Sequence, residues 1–252
     1  EEAMDVPQEP WAYLAGDVSL SDSDLQLLRA LYRAEVRYVD EQLAALREAL
    51  ADAGELEDTV FVVTADHGEN IGDHGLMDHQ YCLYDTLVHV PLVVDGGSFH
   101  GQGELTALVS LVDLAPTLLD EAGVDAPAAR EAFQGRSFHP DADAGPREFV
   151  VSEYVEPQPS MDALERNVDD VPEHVYQYDR SLQAIRTGEY RLVRGSDGSR
   201  ELYDVAADAG ETEDVVDEEP AVADDLESTL DDWLASFERA ATDEAVTISE
   251  DR

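Results

Sequence analysis

The chain has 252 residues, 43% of them hydrophobic, enough for a substantial core in one large domain or two ordinary ones. Its 15 basic residues, all arginine, face 59 acidic ones, for a formal net charge of −44. That balance excludes nucleic acid as a partner, because phosphate binding needs a positive footprint.

The acids are spread over periodic, core-forming segments and are not gathered in a tail. They read as a solvated surface adapted to high salt, a halophilic pattern, since repulsion is screened within about 3 Å at molar ionic strength. The single cysteine, Cys82, excludes an internal disulfide and reads as a small core hydrophobe. There is no run of about 18 apolar residues and no basic-then-apolar leader, so no membrane span, no signal peptide and a cytoplasmic location are expected. The first residue is Glu1, not methionine, and an upstream portion is therefore expected.

Along the chain, SLSDSD (residues 19–24) supplies helix caps. Leu25, Leu28, Tyr32, Val36, Val39, Leu43, Leu46 and Leu50 then recur at spacings of 3 and 4, which predicts an amphipathic helix ending near Gly54 with its apolar stripe in the core. GELEDTVFVVTADHG reads as a turn, a buried strand at Thr59–Thr64 and a loop, because four apolar residues in a row leave no wet face. A second strand is expected near Val90–Val94, a short third at Leu105–Val109, and a helix over LVDLAPTLLDEAG. This alternation predicts an α/β layer architecture with a mostly parallel sheet.

Residues 125–147, rich in Ala, Pro, Gly and Asp, read as a connection, giving an α/β part over 1–145 and a small α+β subdomain over 146–252. In the latter, short strands are expected at Phe149–Tyr154, Leu182–Arg186, Tyr190–Val193 and Glu201–Val205, with turns at TGEY and GSDGS and a final helix over 221–240. The long polar segment 156–180 is either a functional or a disordered loop.

Ligands collect outside the carboxyl ends of strands in open α/β sheets, and Asp66-His67-Gly68 sits at such an end. A carboxylate and an imidazole make half of a divalent-metal shell, suited to Ca²⁺, Mg²⁺, Mn²⁺ or Zn²⁺ according to the other ligands. An equally weighted reading is a loop hydrogen-bond pair that helps the chain leave the strand. His74 and His79 follow in the same glycine-punctuated loop, which adds weight to the first reading.

The run VFVVTADHGENIGDHGLMDHQYCLYDTLVHVPLVV resembles the sulfatase family of the alkaline phosphatase superfamily, whose chains carry an (S/T)xDHGE turn, a GxHGL loop, a VPL segment and a PTLL helix. LYRAEVRYVDEQLAALREAL, LVSLVDLAPTLLDEAGV, QAIRTGEYRLVRG and ELYDVAADAGETEDV extend the resemblance, in order, over roughly residues 25–233. It implies the C-terminal part of an alkaline-phosphatase-like α/β/α sandwich, followed by a small α+β subdomain with a short antiparallel sheet.

The resemblance further implies that Asp66 and His67 are ligands of one divalent metal, calcium first among the candidates, and that His79 contacts the transferred sulfate or phosphate. His74 belongs to the loop motif without a chemical role. The family's nucleophile, a Cys or Ser matured to formylglycine in a C/SxPxR motif, and the Asp-Asp pair beside it are absent from this sequence, and Cys82 in YCLYD lacks the flanking residues. The expected function is metal-dependent hydrolysis of a small-molecule sulfuric ester by the full-length protein, this chain alone being inactive. Phosphodiester, phosphonate or phosphoglycerol chemistry on the same fold, or a non-catalytic metal-binding fragment, are the alternatives, and oligomeric state is left open.

Overall fold

The computed structural model describes residues 5–143, 145–168 and 170–248, with side chains in the last helix through Phe237. The chain divides into two compact units, Glu1–Arg147 with Pro157–Asp179, and Glu148–Glu156 with Arg180–Arg252. No helix among the described residues is long and apolar enough to cross a membrane.

The first unit opens with the short helix α1 (Pro10–Ala15) and the long helix α2 (Asp22–Ala53). Ser21 caps α2 with a complete capping box: its hydroxyl accepts from the Asp24 amide, and the Asp24 carboxylate accepts from the Ser21 amide at 2.8 Å. Gly54, at φ 76°, closes the C-terminus in the left-handed conformation that favours glycine. The periodicity thus gives the helix its correct span, but its apolar stripe is not core. Leu28 is buried with Val6 and Ile71, whereas Tyr32, Val36, Val39 and Leu46 stand exposed, because no described element covers that length of the helix.

After α2, β1 (Phe61–Thr64) pairs with β4 (Leu92–Asp95) in register Phe61↔Asp95 to Thr64↔Leu92. This ladder is antiparallel, as is every ladder among the described residues, so the expected parallel sheet is not found there. The physical reason lies in the connection. A parallel neighbour needs a crossover element, whereas between β1 and β4 lie only loops, the two-residue strands β2 (Asn70–Ile71) and β3 (Met77–Asp78) with a 3-10 turn at Asp73–Gly75 between them, and one helical turn, α3 (Asp85–Val88).

The strand expected at Leu105–Val109 is absent, and that segment is irregular. Helix α4 (Leu114–Glu121) follows a 3-10 turn, and α5 (Pro127–Ala132) is short. Buried Asp113 ties this region together, accepting from the Ser110 and Arg136 amides at 2.8 and 2.7 Å and from the Arg147 guanidinium. The described residues of segment 157–179 include α6 (Met161–Glu165) and a 3-10 helix at Glu173–Tyr178; Met161, Leu164, Val168 and Val175 bury against Ala15 and Tyr81.

The second unit is a four-stranded antiparallel sheet in the order β5 (Val150–Tyr154), β6 (Leu182–Arg186), β7 (Tyr190–Gly195), β8 (Arg200–Asp204), followed by α7 (Pro220–Ile248). Ile185, Leu192 and Leu202 stand opposite one another across three strands, and Ala223, Leu226 and Leu230 of α7 complete the cluster. Arg191, the next residue on β7, alternates to the other face, where it pairs at 2.5 Å with Glu211; both residues are buried.

Candidate metal and oxyanion site

The site begins where β1 stops. Asp66 lies two residues beyond Thr64, and its Oδ1 accepts the His67 amide at 3.0 Å. That bond, followed by Asp66's own amide and then the nearby His67 ring, holds the Asp66 carboxyl below its usual range. The His67 ring nitrogen Nδ1 lies 2.9 Å from the Gly68 carbonyl. A carbonyl only accepts, so Nδ1 carries the hydrogen, and in the neutral ring the lone pair is then on Nε2. Nε2 in turn lies 3.7 Å from Asp66 Oδ2, so an imidazole nitrogen and a carboxylate oxygen face one small volume of solvent.

Gly68 holds this geometry for a reason other than turn freedom. A Cβ there would stand 1.9 Å from the Thr86 carbonyl oxygen. The close approach lets the Gly68 amide donate to Leu87 O at 2.8 Å and the Glu69 amide to Thr86 O at 3.1 Å, fastening the loop along α3. Asn70, fully buried, completes the fastening: its amide donates to Cys82 Sγ at 3.4 Å and its carbonyl accepts from Thr86 Oγ1 at 2.6 Å. Cys82 is buried in the cluster of Leu76 and Leu87, as a small core residue.

The β2–β3 hairpin brings His79 back to the strand end. Its ring stacks on that of His67, with centroids 4.3 Å apart and planes 26° from parallel. His74, by contrast, stacks on Tyr84 at 3.7 Å in the hairpin turn.

Two residues that the sequence did not single out join His79. Asp78 contacts His79 Nδ1 through Oδ1, and Glu69 Oε2 lies 3.5 Å from the same nitrogen. Glu69, Asp78 and His79 are the group of three, among the described residues, whose ligand atoms all fall within 4.8 Å, an acidic and imidazole cluster able to hold a cation. Asp66 and His67 are not in that group. Burial pushes the Glu69 carboxyl upward, with the Asp78 charge acting in the same direction. Glu69 was visible in the DHGE turn; Asp78 was visible only as the residue before His79.

Two family models match this chain. "Sulfatase" matches residues 7–124, and "N-sulphoglucosamine sulphohydrolase, C-terminal" matches residues 72–239. Among curated relatives, arylsulfatase K of Bos taurus is 26% identical over 227 residues, covering 83% of this chain and 37% of that protein. Among solved structures, a protein in complex with its substrate D-glucosamine-2-N,6-O-disulfate superposes with a TM-score of 0.70 at 26% identity, covering 90% of this chain and 45% of that one. A phosphonate monoester hydrolase from Silicibacter pomeroyi superposes with a TM-score of 0.69 at 26% identity, covering 92% and 47%. The chain therefore spans well under half the length of the curated relative, and its architecture is the C-terminal part of an alkaline-phosphatase-like α/β fold with a small antiparallel subdomain. With two overlapping family models that together span residues 7 to 239, the second alone matching well over half of the chain, the chain belongs to the sulfatase family.

Proposed function

We propose that this chain forms the metal-binding and oxyanion-binding part of a sulfuric ester hydrolase, with Asp66 and His67 holding one divalent cation and His79 contacting the sulfuryl group. The observation that carries the reading is the convergence of Asp66 Oδ2 and His67 Nε2 at 3.7 Å, with Nδ1 of the same ring already committed to Gly68 O. A free imidazole lone pair beside an ionised carboxylate fits a divalent cation. The carboxylates of Glu69 and Asp78 nearby make the setting rich in hard oxygen donors, which suits calcium, magnesium or manganese better than zinc, with calcium the ion proposed first. When bound, the cation would supply Lewis-acid polarisation of the ester oxygens.

The protein's own residues orient and neutralise. His67 is fixed in tautomer by Gly68, Asp66 is kept ionised by the His67 amide, and His79 lies in ring contact with His67, where a substrate oxygen held at the strand end would meet it. The nucleophile belongs, in this reading, to a C/SxPxR motif that the 252 residues do not contain. The 1–147 portion with 157–179 is then part of the catalytic domain, and the β5–β8 sheet with α7 is the accessory subdomain. The acids of segment 156–180 disfavour a polyanionic polymer, so a small sulfate ester is the substrate class, and the −44 surface is an adaptation to high salt.

A second reading, hydrolysis of a phosphonate or phosphodiester, is favoured by the fold likeness to the phosphonate monoester hydrolase. One experiment addresses both: the full-length gene product is assayed in high salt on an aryl sulfate, an aryl phosphonate and an aryl phosphodiester. Asp66→Ala and His67→Ala variants are measured alongside for turnover and metal content. Preferential sulfate turnover, with both turnover and metal lost in the variants, is expected. Unchanged metal content in both variants would sink the site assignment.

A further inference from the structure

We infer that segment 157–179 positions the loop that carries His79, and that Tyr81 is the positioning residue through which it acts. The role rests on the reading of His79 as the sulfuryl contact, whereas the contacts that support it are independent of that reading. β5 and β6 pair directly, Tyr154 opposite Leu182, and such a hairpin closes with about two to five residues. The connection here runs from residue 155 to residue 181. Its residues 157–179 leave the unit of the strands they join and belong to the first unit, with His79. A connection of that length is either functional or disordered, and apolar burial separates the two. Met161, Leu164, Val168 and Val175 are at most 7% exposed, so the described part of this one is packed.

What it packs on is Tyr81. That ring, 4% exposed, lies in the same cluster with Ala15 of α1, and its hydroxyl donates to the Pro159 carbonyl at 2.9 Å. Tyr178 meets it from the other end of the segment, ring centroids 5.6 Å apart, and also packs against the cluster of Leu76, Cys82 and Leu87. Tyr81 stands two residues past His79 at φ 65°, in the left-handed region that non-glycine residues seldom adopt. Such a conformation persists where its surroundings over-determine it, and most of those surroundings come from 157–179. On its other side the loop leaves the β2–β3 hairpin, held by the pairing Asn70↔Asp78. His79, its ring half-exposed, is thus hung between the hairpin and the Tyr81 anchor. The anchor acts through the backbone and requires no particular protonation state of that ring.

Substitutions in the full-length gene product separate positioning from plain stability. On the aryl ester that the wild type turns over, Tyr81→Leu, which keeps apolar bulk but loses the ring and the hydroxyl, should lower kcat about tenfold. The same substitution in a His79→Gln background should change kcat by less than about twofold, because the contact it misplaces is already gone. Tyr81→Phe, which keeps the ring, should stay within about threefold of wild type. Equal losses from Tyr81→Leu in both backgrounds, or none in either, overturn the proposal.

A second arm needs no turnover. Hydrogen–deuterium exchange of the full-length product is compared between wild type and Val175→Ala, a change made within the segment and remote in sequence from His79. Amides of residues 79–84 should exchange about tenfold faster, together with those of 157–179, while those of β6, β7 and β8 hold their rates. Unchanged exchange at 79–84, or equal loosening of the sheet, overturns the proposal. If no ester is hydrolysed yet 79–84 loosens with the segment, the enzymatic reading fails while the coupling of segment and loop stands.

Discussion

Gly68 and Asp208 show how single residues set what this chain tolerates. At Gly68 the obstacle to a side chain is the Thr86 backbone carbonyl, which cannot swing aside as a flexible side chain would. Gly68→Ala should therefore destabilise by about 1–3 kcal/mol, read as a lower urea midpoint, and should displace the Asp66–His67 loop. Asp208 accepts from the amides of Gly210, Thr212 and Glu213 at 3.2, 2.6 and 2.9 Å, and these bonds, the Glu213 amide foremost, hold its carboxyl below the usual range.

The sign follows directly. The stabilisation is fully present above the ordinary aspartate value of about 3.9 and is lost as pH falls through the lower native value. Asp208→Asn should thus be less stable than wild type at neutral pH, with the difference shrinking as both are unfolded at pH 4, 3 and 2; a constant difference would contradict this.

At this scale the sequence revealed chemistry but not contact. Asp66 and His67 drew notice because their types suit a metal at a strand end, and His79 because of the family pattern; the structure brings Asp66 Oδ2 and His67 Nε2 to 3.7 Å and stacks His79 on His67. The contact of Asp78 with His79 was not legible, since it depends on the pairing Asn70↔Asp78 between strands of two residues, too short to leave any alternation in the sequence.

Among the elements, α2 illustrates what periodicity does and does not encode. A stripe at spacings of 3 and 4 together with Ser21 and Gly54 fixes the helix and both ends, but it cannot say which part of the stripe is covered. Leu28→Ala should cost about 2–4 kcal/mol in chemical denaturation, whereas Val39→Ala, at an exposed position, should stay within about 0.5 kcal/mol. The same limit explains the sheet. Continuous apolar runs located the strands, but in this chain β1 and β4 are only half-buried, with Val93 exposed, and pairing direction is decided by connections: the 3-4 spaced pattern of a crossover helix is missing between β1 and β4. In the second unit the strands and turns were legible almost to the residue, because TGEY and GSDGS mark both hairpins and the intervening apolar residues alternate.

For the whole molecule, charge is the governing quantity. Arginines bridge the sheet of the second unit to α7: Arg194 reaches Asp231 at 2.7 Å, and Arg200 reaches Asp224 and Glu227 at 2.8 and 2.9 Å. With 15 arginines against 59 acids, most carboxylates must nonetheless find no cation within the chain, and their mutual repulsion acts against the folded state. Raising potassium chloride from about 0.05 M to about 2 M should lift the thermal midpoint by several degrees or more, because screening falls from beyond 10 Å to about 3 Å. Equal midpoints by circular dichroism at both concentrations would remove the case for salt adaptation.

The partition of the chain also restricts how the protein can be dissected. Residues 148–156 belong to the second unit, 157–179 to the first and 180 onward to the second again, so the backbone passes between units three times. Neither unit is a continuous stretch of sequence. Truncation at residue 147 would strip the first unit of the Leu164 and Val175 that bury against Ala15 and Tyr81, while a fragment starting at residue 180 would leave β6 without β5 along one edge. The two units are thus sewn into one covalent weave that no single cut can separate into whole parts.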